Sequence, residues 1–258
     1  MTRIGKRFDE CRRRGQKAFV AFVTAGDPSL ERTVEVALEL ERGGADVLEL
    51  GVPFSDPLAD GPVIQRASER ALCRGTTLSA VLEAVRRIRS RSELPLVLFS
   101  YMNPLLRFGL ERAAGAARDA GVDGVLVTDL PPEEADGWLG SARSRDLDTV
   151  FLAAPTSPDE RVRRIAEASR GFVYAVSRTG VTGEKEALSG DAVPLVRRIQ
   201  EATREPVALG FGISRPEQVK QAADVADGVV VGSALVRFLE EQPAGDVAER
   251  LRWLRSGL

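Results

Sequence analysis

The chain has 258 residues, 43% of them hydrophobic and 29% charged, ordinary for a soluble globular protein, and its formal net charge of -2 gives no basic surplus pointing to nucleic acid. It contains no histidine, which excludes Ser-His-Asp and Cys-His mechanisms and argues against a zinc or non-haem iron site. Two distant cysteines, Cys11 and Cys73, without metal spacing, the absence of an apolar run of transmembrane length, and a first segment lacking the core of a secretion signal lead us to expect a cytoplasmic protein, with both thiols used in packing.

Eight short apolar runs follow one another: 18–24, 46–52, 96–101, 124–129, 149–153, 172–177, 207–211 and 228–232. They are rich in Val, Leu and Phe and alternate little, as strands buried on both faces do. Helical patterns separate them. Asp27-Pro28 reads as a cap and first turn, with Leu30, Val34, Ala37 and Leu38 on one face. Thr77 opens a helix with Leu78, Val81, Leu82, Val85 and Ile88 in register, and its Arg86-Arg87-Ile88-Arg89 run reads as a solvated face. Ser157–Glu160 and Ser214–Glu217 match the capping box. Strand then helix, eight times, predicts an α/β fold: a single (β/α)8 TIM barrel over residues 1–258. An extra N-terminal helix before Phe19 would close its bottom, and a further helix near Pro62–Cys73 would follow strand two. The other long gap, Arg178–Gly190 after strand six, is rich in Gly, Thr and charge. Loops after the strands build the catalytic face of such barrels.

The most informative stretch is 48–61, Leu-Glu-Leu-Gly-Val-Pro-Phe-Ser-Asp-Pro-Leu-Ala-Asp-Gly. Alternation turns Glu49 and Gly51 away from Leu48 and Leu50. Glu49 is then a carboxylate in the wall of a packed sheet, where burial favours the protonated form and suits a general acid or base. Read on residue type alone, Glu49 also fits a buried ion pair, Asp60 a cap before Pro62, and Asp56 a turn. At the ends of strands seven and eight, Gly210-Phe211-Gly212-Ile213-Ser214 and Gly232-Ser233-Ala234 lead into helices, a pattern that offers backbone N–H groups to a phosphate. Tyr101 and Tyr174 end or lie within strands, Phe22 and Phe211 would give apolar walls, and Asp129 reads as polar lining.

Segment 48–61 closely resembles the signature of the tryptophan synthase alpha subunit. The likeness extends through Phe19–Asp27, Tyr101-Met-Asn-Pro104, Ala154-Pro-Thr156, Arg178-Thr-Gly-Val-Thr-Gly183 and Gly210–Ser214. The resemblance implies cleavage of indole-3-glycerol phosphate to indole and glyceraldehyde 3-phosphate. Glu49 and Asp60 would be catalytic, and Phe22, Tyr101, Tyr174, Thr182 and Phe211 would line the substrate pocket. Gly180, Gly183, Gly212, Ile213, Gly232 and Ser233 would hold the phosphate. Thr182 would contact Asp60 when the loop closes. No metal and no cofactor are implied in this chain. Pyridoxal phosphate would belong to a beta subunit that receives the indole in an alpha2beta2 heterotetramer, with 53–60 and Asn103-Pro104 near the interface. A stand-alone lyase, a non-catalytic activator of the beta subunit, and another phosphate-binding barrel such as an isomerase of histidine biosynthesis are the alternatives.

Overall fold

The computed structural model describes residues 2–176, 190–210 and 212–258. Strands β1 (Ala18–Thr24), β2 (Val47–Gly51), β3 (Leu96–Ser100), β4 (Gly124–Val127), β5 (Asp148–Val150), β6 (Leu152–Ala153), β7 (Val173–Val176), β8 (Val207–Gly210) and β9 (Gly228–Val231) fall on the eight apolar runs. They pair in parallel in the order β5-β4-β3-β2-β1-β9-β8-β7-β6. Only Phe151 separates β5 from β6, and its carbonyl accepts the Tyr174 N–H at 3.0 Å. The two ends of the strand row are thus one stretch of chain, and the sheet curls into a nearly closed barrel with little exposed edge.

The helices are α1 (Arg3–Arg13), α2 (Leu30–Gly43), α3 (Pro62–Cys73), α4 (Leu78–Arg89), α5 (Met102–Phe108), α6 (Leu110–Ala120), α7 (Asp136–Arg143), α8 (Asp159–Ala168), α9 (Ala192–Ala202), α10 (Pro216–Ala223), α11 (Ser233–Glu241) and α12 (Val247–Arg255). Strand alternation sorts the core into two layers. Phe19, Ala21, Leu48 and Leu50 point outward and pack under the helices. Val20, Phe22, Val47, Val97 and Phe99 point into the barrel. Ile4, Phe8 and Cys11 of α1 join the inner layer, so α1 plugs the N-terminal end of the barrel as anticipated. The extra helix after strand two is α3. The short α5 was not anticipated; seven residues carry too little periodicity to announce a helix.

At the plugged end, aspartates preceding strands take up neighbouring N–H groups. Asp46 Oδ2 accepts from Phe19 N (2.9 Å), Asp123 Oδ2 from Leu96 N (2.9 Å) and Asp227 Oδ2 from Val207 N (3.0 Å). Asp123 also binds Arg3 Nη1 at 3.0 Å and Arg89 Nη2 at 2.8 Å. Arg89 therefore departs from the solvated face expected of its run. It turns under the barrel to Asp123 and to the carbonyls of Gly121, Ser92 and Leu94, while Arg86 and Arg87 stay exposed.

Three helix starts differ from expectation. Ser29, not Asp27, caps α2 by accepting from Arg32 N at 3.1 Å; Asp27 is drawn instead into an ion pair with Arg70. Ser157 does not cap α8, because its hydroxyl accepts from Ala154 N and Pro158 occupies the cap position. In α10, Pro216 takes the first helical position that proline favours, which moves the cap to Arg215. Gln218 Oε1 then closes the box by accepting from Arg215 N at 3.1 Å. Cys11 is buried, which pushes its thiol up to about 12, but Cys73 is exposed rather than packed.

Candidate active site

β2 delivers Glu49 to the barrel interior, in register with Phe22 of β1 and Val97 of β3. Its side chain is fully buried, and neither carboxyl oxygen has a hydrogen-bond partner among the described residues. Burial alone raises its pKa from 4.5 to about 8. The ion-pair reading of Glu49 therefore does not hold: a carboxyl in this setting keeps its proton at neutral pH. Gly51 follows on the same face. A Cβ there would lie 2.7 Å from Phe22 Cζ, so glycine gives the Phe22 ring its room.

Asp60 lies on the loop between β2 and α3, in a turn closed by its own N–H on the Pro57 carbonyl (3.0 Å). It is not the α3 cap, a position held by Gly61. Tyr101, at the end of β3, donates its hydroxyl to Asp60 Oδ2 at 3.1 Å and accepts the Ala59 N–H at 3.1 Å. Burial raises Asp60 to about 6, opposed by the Tyr101 hydrogen bond. Asp56 sits in an exposed turn and accepts from Ser55 Oγ at 2.6 Å.

Glu49 and Asp60 share one cavity with Phe22 and Tyr174, and with Gly212, Ile213, Gly232 and Ser233. It holds about 430 Å³ of space free of protein atoms, part of it open to solvent. Three further lining residues, Ile64, Phe99 and Val230, were missed. Phe99 and Val230 were accessible to the alternation argument, since Val97 and Phe99, and Gly228, Val230 and Gly232, share a parity. Ile64 carried no signal beyond its place after Pro62. Phe22 and Phe99 meet edge to face at 5.1 Å, walls suited to a flat aromatic ring. Burial, with Glu49 and Asp60 nearby, holds the Tyr174 phenol well above its ordinary value, so it stays neutral. Tyr101 is set behind Asp60 and packs on Phe54 at 5.1 Å. Asp129 turns away: its Oδ1 accepts from Met102 N at 2.7 Å at the start of α5. Gly180, Thr182, Gly183 and Phe211 lie outside the described residues.

In the same lining, Gly232 precedes α11 and Ser233 opens it, so first-turn N–H groups that have no helical acceptor stand at the cavity. Gly212, at φ +82°, holds the β8–α10 turn in a left-handed conformation that other residues resist. The cavity thus joins a protonated carboxyl, an ionised one, an apolar slot and an anion cradle. That set is chemically suited to acid–base chemistry on a flat apolar ligand that carries an anionic group. Among the described residues no group of three metal-ligating side chains occurs, and no helix is long and apolar enough to cross a membrane.

Outside the cavity, the β2–α3 loop and α5 frame a surface groove lined by Pro53, Phe54, Asp56, Asn103, Pro104 and Leu106. Leu58, at 85% exposure, stands on the same loop, and Leu106 is also exposed.

The family model of the tryptophan synthase alpha chain matches residues 8–254. The tryptophan synthase alpha chain of Solibacter usitatus is 55% identical over 241 residues, covering 93% of this chain and 90% of the relative. That of Geobacter sp. strain M21 is 52% identical over 258 residues, covering 100% and 97%. Among solved structures, Mycobacterium tuberculosis tryptophan synthase superposes with a TM-score of 0.93 at 40% identity, covering 99% of this chain and 98% of that one. The alpha subunit from Legionella pneumophila strain Paris gives 0.90 at 36% identity, covering 100% and 98%. With its length, its barrel and its sequence matched together, this chain belongs to the tryptophan synthase alpha chain family.

Proposed function

We propose that the chain, acting as one catalytic domain over residues 1–258, cleaves indole-3-glycerol phosphate to indole and glyceraldehyde 3-phosphate. The observation that carries this reading is the unequal pair of carboxyls in one apolar cavity: Glu49 unpartnered and Asp60 hydrogen-bonded to Tyr101. Breaking the bond from indole C3 to the glycerol chain requires C3 to become tetrahedral. Glu49, holding its proton at neutral pH, donates it to C3. The resulting carboxylate takes the proton of the glycerol hydroxyl on the carbon that was bonded to C3, as that carbon becomes the aldehyde. Asp60, ionised above about pH 6, accepts a hydrogen bond from the indole N–H and stabilises the positive charge that grows on the ring. The separated pKa values of the two acids divide the roles.

Phe22 and Tyr174 confine the ring, with Phe211 as a further wall, and Tyr101 holds Asp60. The phosphate binds the N–H groups at Gly212, Ile213, Gly232 and Ser233, completed by Gly180 and Gly183, and Thr182 meets Asp60 on closure. Anchoring at the phosphate supports the strain of the reacting carbon.

No cofactor takes part in this half-reaction. The partner is a tryptophan synthase beta subunit, carrying pyridoxal phosphate, in a cytoplasmic alpha2beta2 assembly. Its docking face on this chain is the groove of Phe54, Asn103, Pro104 and Leu106 with Leu58 at the edge, which places the partner against the loop that bears Asp60.

Indole release from indole-3-glycerol phosphate, by the purified chain alone and with a beta subunit added, tests this. Slow turnover that rises strongly with the partner is expected. Fast turnover indifferent to the partner would make it a stand-alone lyase, and no indole in either case would remove the reaction.

A further inference from the structure

One ionic cluster on the barrel's flank touches neither the cavity nor the groove. Arg70 of α3 grips Asp27 with two parallel hydrogen bonds, Nε to Oδ1 at 2.9 Å and Nη2 to Oδ2 at 2.6 Å. Its remaining arm, Nη1, donates to Glu240 Oε1 of α11 at 2.8 Å. One turn earlier, Arg66 holds both oxygens of Glu240 at 3.0 Å. Asp27, from the loop after β1, is buried, and Arg70 and Glu240 are partly covered. Forked guanidinium–carboxylate contacts fix direction as well as distance, which a lysine cannot do.

The helices joined in this way each carry part of the cavity lining. α3 begins two residues after Asp60 and places Ile64 in the lining; α11 begins at Ser233, beside Gly232. The clamp binds the two helices near their far ends and ties both to the β1 loop through Asp27. Any slippage of α3 along α11 would change the separation between Asp60 and the anion cradle.

We propose that Arg70 is a positioning residue: the Asp27–Arg70–Glu240 clamp sets the span between the ring end and the phosphate end of the site, and so selects ligands by the length of the linker joining ring to phosphate. This rests on the function proposed above. A ligand with two ends gains from a fixed span because its second contact is made intramolecularly, at an effective concentration that falls when the span is loose. Neither end alone needs the span.

The test uses three probes on the intact chain: indole, glycerol 3-phosphate, and an unreactive mimic in which indole carries a three-carbon chain ending in phosphate. A fourth probe lengthens that chain by one carbon. Arg70→Lys keeps the charge and loses the fork. Glu240→Gln keeps an acceptor at a partly exposed site, so folding is preserved even if the lysine variant is unstable. In both variants the three-carbon mimic is expected to bind ten- to a hundredfold more weakly, while indole and glycerol 3-phosphate change less than twofold. Preference for three carbons over four should shrink. Equal weakening of all probes, or unchanged linker preference in either folded variant, would overturn the clamp. Failure of the wild-type chain to bind any probe would overturn the reading of the site itself.

Discussion

The Tyr101 hydroxyl donates to Asp60 Oδ2 at 3.1 Å while accepting the Ala59 N–H, so one phenol fixes both the charge and the placement of the acidic loop. The bond favours the ionised carboxyl against the burial that raises it. Removing it in Tyr101→Phe should lift the Asp60 pKa above about 6 and weaken its hold on the indole N–H. We expect kcat/KM to fall about five- to tenfold, roughly 1–1.5 kcal/mol for one hydrogen bond, with the acid limb of the pH–rate profile displaced upward. An unchanged kcat/KM at pH 7 would dissociate Tyr101 from Asp60.

The two carboxyls predict a bell-shaped dependence of kcat/KM on pH. Activity should rise as Asp60 ionises near 6 and fall as Glu49 loses its proton near 8, leaving a maximum close to 7. The substrate phosphate also titrates near 6, so the alkaline limb is the diagnostic one. A plateau extending past pH 9 would remove Glu49 as the acid.

Glu49→Gln should reduce cleavage by at least a thousandfold with binding retained, and it should also make the fold more stable at high pH. The carboxyl's folded pKa, about 8, lies above its unfolded value of 4.5. The stability contribution is full below 4.5, falls as pH rises because the unfolded chain ionises first, and is lost by the time pH has risen through 8. Wild-type Tm should decline between about pH 5 and 8, below the range where Cys11 matters, and the glutamine variant should decline less. Calorimetry across that window checks both parts.

Gly212→Ala places a side chain at φ +82°, a strain of roughly 1–2 kcal/mol that the β8–α10 turn would relieve by moving. KM for indole-3-glycerol phosphate should rise several-fold, while the affinity for free indole, which has no phosphate, should not change.

Asp123→Ala removes the shared partner of Arg3, Arg89 and the Leu96 N–H at the plugged end of the barrel. It should cost about 3 kcal/mol of stability. Its kcat, measured well below Tm, should match wild type.

Much of this was legible in the chain because the barrel's strands are buried on both faces. Doubly buried strands leave continuous apolar runs, and each of the eight runs became barrel wall. Glu49 was legible for the converse reason: a lone carboxylate inside such a run has few structural excuses. What resisted reading depended on contacts distant in sequence. Asp27 looks like a cap until Arg70, 43 residues on, is seen to reach it. Arg89 looks solvated until Asp123 is brought beneath it. Pro216, favoured in the first helical turn, shifted the cap of α10 by a residue, and at α8 the Ser157 hydroxyl turned back to Ala154 N and left the cap position to Pro158, neither of which local pattern matching resolves.

The barrel treats two of its buried carboxylates, Asp123 and Glu49, oppositely. At the plugged end, Asp46, Asp123 and Asp227 accept from strand amides, and Asp123 also holds Arg3 and Arg89. Glu49 is left with both oxygens unengaged by the described residues. A ligand that bonds to Glu49 therefore supplies what the fold withholds, and occupancy should tighten the protein around it. Each turnover would then pass through a stiffer loaded form and a softer empty one, so product departure is assisted by the same omission that primes the acid.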